Sequence, residues 1–236
     1  MKLSVLIPVY NEVKTLEEIV RRVKSVRLPK EILIIDDAST DGSRQLLQRV
    51  QSETQADPDG FNRIKVLFQP ANQGKGAAIR SGLAQVEGDI VIIQDADLEY
   101  DPQDYMKLLD PILAGYADVV YGTRFYGGGP HRVLFFWHYV GNQLLTFFSN
   151  MLSNLNLSDM EVGYKVFKTE VLKHITLRSN RFGFEPEITM KVAKKNWRLY
   201  EVPISYHGRT YTEGKKITWK DGLAALYFLV RYRLKD

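Results

Sequence analysis

Asp95 and Asp97 stand two residues apart directly after the apolar run 90–94, and Glu99 follows two residues later. Two carboxylates at the end of a buried strand can jointly hold a divalent cation, which usually keeps waters and shares phosphate oxygens. An isolated D-x-D is more often a helix cap or a turn pair. Here the context favours a site, because Asp36 and Asp37 end a second apolar run. Acids gathered at neighbouring strand ends repel one another unless a cation or hydrogen-bond donors answer them.

Gln73-Gly74-Lys75-Gly76 opens a helical segment. Glycines let a backbone approach a ligand, a helix N-terminus favours anions, and Lys75 adds positive charge. The segment is not a G-x-x-x-x-G-K-[ST] loop, and Ile79 replaces the third glycine of G-x-G-x-x-G. Both departures argue against a kinase-like phosphate loop or a dinucleotide fingerprint. The four histidines, His131, His138, His174 and His207, lack metal-ligand spacing, and no G-x-S-x-G elbow supports hydrolase chemistry. The chain has no cysteine, which removes disulfide frameworks, thiolate zinc sites, iron–sulfur clusters and cysteine nucleophiles.

The elements that must position these residues alternate strand and helix. Strands are expected at 3–9, 31–35, 64–68, 89–94 and 117–121, and helices at 12–26, after Asp41-Gly42, at 76–86 and from Asp101-Pro102 to Leu113. The polar stretch 52–62 is the best candidate for a variable loop. Such alternation implies an α/β fold with a mostly parallel central sheet flanked by helices. Ligands of such sheets bind beyond the carboxyl ends of the strands, where Tyr10-Asn11-Glu12, Asp36-Asp37, 69–75 and 95–97 cluster. The second half is less regular: a long aromatic helix at about 132–155, a helix near 185–195, a strand at 199–204 and a helix from Trp219.

Length and composition fit one sizeable globular domain: 236 residues, 44% hydrophobic and 25% charged. A net charge of +4 (32 − 28) is mildly basic and gives no case for a nucleic-acid partner. The first apolar run is too short for a signal peptide, and no stretch approaches the roughly 18 uninterrupted apolar residues of a spanning helix. The protein is therefore expected to lie on a membrane if it meets one. The segment 132–154 reads by default as a core helix, yet its apolar residues cover more than one face, with Trp137 and Tyr139 beside Arg132 and His138. The terminal helix repeats this pattern among Lys215, Lys216, Lys220, Arg231, Arg233 and Lys235. Two such helices suit a headgroup region.

Taken in order, Ile7-Pro8-Val9-Tyr10-Asn11-Glu12, Ile35-Asp36-Asp37-Ala38-Ser39-Thr40-Asp41-Gly42, Asn72-Gln73-Gly74-Lys75-Gly76 and Asp95-Ala96-Asp97 resemble the family 2 inverting glycosyltransferases of the GT-A fold. Gly122-Thr123-Arg124-Phe125, the segment 158–165, Phe182-Gly183-Phe184-Glu185 and 209–216 narrow the likeness to polyprenol-phosphate hexose synthases of the dolichol-phosphate mannosyltransferase type. The resemblance covers nearly the whole chain. Many such proteins carry transmembrane helices after the catalytic domain, so this chain, ending at Asp236, resembles the compact members.

The resemblance implies a single GT-A domain, with a nucleotide-sugar half at 1–125 and an acceptor half at 126–236. It implies transfer of a hexose, mannose favoured, from a nucleoside diphosphate sugar to a polyprenyl phosphate, with Mg²⁺ or Mn²⁺. Pro8, Tyr10, Glu12, Asp37, Lys75, Asp95, Ala96 and Asp97 match donor-binding positions, and Asp97 and Glu99 match metal ligands. Asp97, Arg124, Asp159 and Arg209 match catalytic positions, while Arg124, Arg132, His138 and Lys216 face the acceptor. The expected location is peripheral, at the cytoplasmic face of a membrane. Rival readings are UDP-glucose as donor, a soluble sugar acceptor, a sugar nucleotidyltransferase and a non-catalytic nucleotide-binding module. The nucleotidyltransferase lacks its glycine-arginine loop, since Pro8-Val9-Tyr10-Asn11 stands in its place.

Overall fold

The computed structural model describes residues 1–53, 61–126, 132–133, 135–210, 212–213 and 219–235. Seven segments form strands: β1 (Leu3–Val9), β2 (Lys30–Asp36), β3 (Asn62–Phe68), β4 (Ile90–Ile93), β5 (Val119–Thr123), β6 (Lys165–Lys168) and β7 (Leu199–Pro203). They make one sheet in the order β3-β2-β1-β4-β6-β5-β7. Pairing is parallel except at β6, which runs antiparallel to both β4 and β5. Helices α1 (Leu16–Ser25), α2 (Ser43–Glu53), α3 (Lys75–Leu83), α4 (Tyr105–Leu113), α5 (Phe136–Ser153), α6 (Thr169–Lys173), α7 (Phe184–Lys194) and α8 (Trp219–Leu234) complete the chain.

Strands covered on both faces read as unbroken apolar runs. In β2, Ile32, Leu33, Ile34 and Ile35 are fully buried, each contributing about 1.5–3 kcal/mol of burial energy. Asp101 caps the turn entering α4, its carboxylate accepting from Gln103 N, and Pro102 follows as expected. The structure departs from the expected elements in places, and α5 begins at Phe136 rather than near residue 132. Helix α1 starts at Leu16 rather than residue 12, because residues 12–15 close a turn in which Leu16 N donates to Glu12 O at 2.9 Å. Strand β6 and helix α6 were not anticipated, since four- and five-residue elements are too short to show a period. Most of the loop expected at 52–62 lies outside the described residues.

Helix α5 is amphipathic in an inverted sense. Its buried residues are Thr146, Ser149 and Ser153, whereas Trp137 (78% exposed), Phe147 (61%) and Met151 (61%) face outward. It packs on α7 and α8, and α8 likewise exposes Leu223, Tyr227 and Val230. Among the described residues no helix is long and apolar enough to cross a membrane.

Candidate active site

The chain turns sharply as it leaves β1, β2 and β4. Asn11, Ala38 and Leu98 follow these strand ends with φ of 54°, 59° and 64°, the left-handed region that side chains disfavour by roughly 1–2 kcal/mol per residue. Backbone strain of this kind concentrates at functional sites. It brings Glu12, Asp37 and Asp97 to one edge of the sheet, with donors for each acid. Asp36 lies 3.4 Å from Arg44 Nε. Asp37 accepts from Gln73 N (2.8 Å), Gly74 N (2.7 Å) and Asn72 Nδ2 (3.0 Å), so its carboxylate holds the 72–74 loop in place. Of the flanking donor candidates, Tyr10 is exposed, Pro8 half-buried and Ala96 buried.

Lys75 is the first residue of α3 and bridges two acids, Asp95 at 2.8 Å and Glu185 at 3.0 Å. Burial alone pulls its pKa down, but the two carboxylates hold it well above the ordinary lysine value. The flanking glycines serve chain packing. Gly74 has φ +99°, and a Cβ there would come within 2.5 Å of Asn180 O; at Gly76 a Cβ would overlap Ser179 O. Ala77 N donates to Asn180 O at 3.0 Å in the same contact. Gly163 lies against the other side of Asp95, where a Cβ would overlap Oδ2.

Asp97 sits among like charges. Burial, then the charges of Asp95 and Glu99, push its pKa up to about 7, with Arg209 opposing. The Arg209 guanidinium spans three carboxylates, reaching Asp97 at 3.0 Å, Glu12 at 3.3 Å and Glu99 at 3.4 Å. Among the described residues no three acids or histidines converge into a ready-made metal cage. The residues nevertheless fit a Mg²⁺- or Mn²⁺-class ion. Such an ion takes one or two carboxylates and completes its shell with phosphate oxygens and water. Asp97 and Glu99 are oxygen donors already collected around a stand-in cation.

Arg124 follows β5 and grips Asp159 with a fork, Nε to Oδ2 and Nη2 to Oδ1, both 2.6 Å. Asp159 is fully buried, and Glu201 fixes its segment by accepting from Ser158 N and Asp159 N. Tyr206 joins the two arginine centres. Its hydroxyl donates to Glu99 at 3.1 Å, and Arg124 lies 5.2 Å above its ring. Arg132 donates to Gly208 O, the carbonyl just before Arg209, and to Glu213. His138 is half-buried on α5 beside the Phe135 ring. Lys216 lies outside the described residues.

The sequence reading gave no site role to Glu161, Lys165, Tyr206 or Asn142, and Glu185 entered it only within the segment 182–185. Lys165 is fully buried; its ammonium donates to Met160 O and Val162 O, the carbonyls on either side of Glu161. Burial pushes the Glu161 carboxyl up to about 8, and the nearby Glu185 adds to it. Glu185 and Glu187 open α7 and are both buried, so both need partners, but that burial shows only in the fold.

The family model for glycosyl transferase family 2 matches residues 4–176. The chain is 32% identical over 211 residues to a polyprenol monophosphomannose synthase of Mycolicibacterium smegmatis, covering 87% of this chain and 77% of that protein. It is 28% identical over 227 residues to an undecaprenyl-phosphate mannosyltransferase of Micrococcus luteus, covering 91% and 87%. Among solved structures, glucosyl-3-phosphoglycerate synthase from Mycobacterium tuberculosis, crystallised with Mn²⁺, UDP and phosphoglyceric acid, has the same fold. Its TM-score is 0.71 at 20% identity, with 98% of this chain and 78% of that chain covered. The strand-end acids and their cationic partners thus stand in a chain that belongs to glycosyl transferase family 2.

Proposed function

We propose that the protein transfers a hexose, mannose favoured, from a nucleoside diphosphate sugar to a polyprenyl phosphate at a membrane surface, facing the cytoplasm. The observation that carries this reading is the pair of arginine centres joined through Tyr206. Donor diphosphate and acceptor phosphate both bring negative charge, and each needs cations beside the reacting carbon. The names of the mannosyltransferase relatives support the same acceptor class.

In the reaction an oxygen of the acceptor phosphate attacks the anomeric carbon as the bond from that carbon to the diphosphate breaks. The acceptor is already an anion at neutral pH, so no strong base is required. A divalent ion held by Asp97 and Glu99 would offset the charge of the departing diphosphate. Lys75 and Arg209 add fixed positive charge where that charge develops, the usual basis of electrostatic catalysis. Asp159 takes the Nε and Nη2 donors of Arg124, which leaves Nη1 as the donor that Arg124 would turn to the acceptor phosphate. The exposed aromatic face of α5 and the exposed apolar residues of α8, with Arg231, Arg233 and Lys235 exposed at the end of α8, suit an anionic lipid surface carrying the acceptor.

The test is turnover with GDP-mannose and with UDP-glucose on a short prenyl phosphate, following nucleoside diphosphate release and the glycosylated lipid. Asp97→Asn is expected to lower turnover by at least about 10²-fold, the scale of losing one preorganised electrostatic group. No transfer to prenyl phosphate from either donor sinks the proposal, and full activity in excess EDTA removes its metal component.

A further inference from the structure

Helix α5 is fastened to the acceptor side by polar side chains. Asn142, Thr146 and Asn150 are spaced by four residues and so share one face. Asn142 Nδ2 donates to Asp159 Oδ1 at 3.2 Å, and Asn142 Oδ1 accepts from Arg124 Nη2 at 3.3 Å. Thr146 Oγ1 accepts from Met160 N at 3.2 Å. Asn150 Nδ2 donates to Leu157 O at 2.7 Å, and its Oδ1 accepts from Leu157 N at 3.0 Å. The opposite face carries Trp137, Leu144, Phe148 and Met151, all exposed. One side of the helix therefore offers a broad apolar surface, while the other holds the segment that fixes the Arg124–Asp159 fork.

Apolar packing tolerates small slides, because dispersion contacts are numerous and non-directional. Hydrogen bonds are directional and weaken steeply when bent. A helix tied down by such bonds passes its own displacement to what it holds. Asn142 is the closest of these ties, since it bonds both members of the ion pair.

We infer that docking of the α5 aromatic face on a lipid surface is transmitted through Asn142 to Arg124, so that the surface activates the enzyme as well as presenting its acceptor. Asn142 is a positioning residue in this scheme, and the inference rests on the acceptor reading above. The lipid surface is the occupant to which the face is assigned, because the basic residues ending α8 lie on the helix that packs beside α5.

The experiment uses a short, water-soluble prenyl phosphate with and without acceptor-free anionic vesicles. Vesicles are expected to raise wild-type kcat/KM for the prenyl phosphate at least about fivefold, the low end of coupling between distinct sites. The rise should come mainly through KM. Asn142→Leu is expected to lose that rise while still floating with the vesicles and binding nucleotide sugar normally. Thr146→Val, close in shape, deletes the Met160 bond and provides a second uncoupling variant if Asn142→Leu melts early. The double variant Trp137→Glu, Phe147→Glu should neither float with the vesicles nor show a rise. Stimulation in this undocked variant would trace the rise to acceptor partitioning and overturn the inference. Full stimulation of both Asn142→Leu and Thr146→Val, or none in wild type, also overturns it. Absence of transfer to any prenyl phosphate instead overturns the proposed function, so the two failures are distinct.

Discussion

Glu161 shows how a single carboxyl can be held against its own preference. Its Oε1 is buried with no partner among the described residues, and its pKa is pushed up to about 8 by burial and by Glu185. A carboxyl that binds its proton more tightly when folded opposes folding as pH rises. Below the ordinary glutamate value of 4.5 both states are protonated and the group's contribution is fully present. Between 4.5 and about 8 the unfolded chain loses the proton while the folded chain keeps it, so stability falls across that window. Glu161→Gln removes the titration. The variant should melt at least about 2 °C above wild type at pH 8, the shift that about 1 kcal/mol makes in a domain of this size. The advantage should vanish near pH 4.5. Equal melting curves at pH 8, measured by calorimetry, would rule this account out.

At the scale of elements, the close approach of Gly163 to Asp95 separates a packing glycine from a flexible one. Gly163→Ala drives a methyl group into Asp95 Oδ2 and within 2.8 Å of Tyr100 Cε2. Asp95 must then swing from Lys75, so nucleotide-sugar affinity should fall by at least about tenfold, the loss of one charge-assisted hydrogen bond of about 1.5 kcal/mol or more. Titration calorimetry with the nucleotide sugar checks this, and unchanged affinity would show that Asp95 does not need its present position. The same packing explains what the sequence could reveal. β1 spans the expected 3–9 because a doubly covered strand is a continuous apolar run. The acids at 37, 95 and 97 were legible because they end such runs. Tyr206 was not, because it meets Glu99 only through a pairing 107 residues apart in sequence. Glu161 was hidden for a related reason: the turn that carries it leads into β6, a strand of four residues.

For the whole molecule, the inverted α5 and its neighbour α8 set an expectation about surfaces. Because Trp137 and Phe147 are largely exposed, replacing both with glutamate should release the protein from anionic vesicles in a flotation assay. The melting temperature should stay unchanged, since neither side chain fills the core. Retention on vesicles, or a large loss of stability, would show that these rings are not a docking surface.

The central position of β6 has a consequence for how the protein is born. Lys168 pairs with Ile90, and Lys165 with Tyr121, so the strand that joins the two halves of the sheet is made after both. At about 5–20 residues per second, a ribosome needs roughly 4–16 s to travel from residue 90 to residue 168. Throughout that interval β4 exposes an unpaired edge, the kind that captures other chains. Arg124 likewise emerges before Asp159, which grips it, and Lys75 before Glu185. The edge that carries the candidate site is therefore assembled late and from within, when an incoming antiparallel strand closes a gap between elements already synthesised.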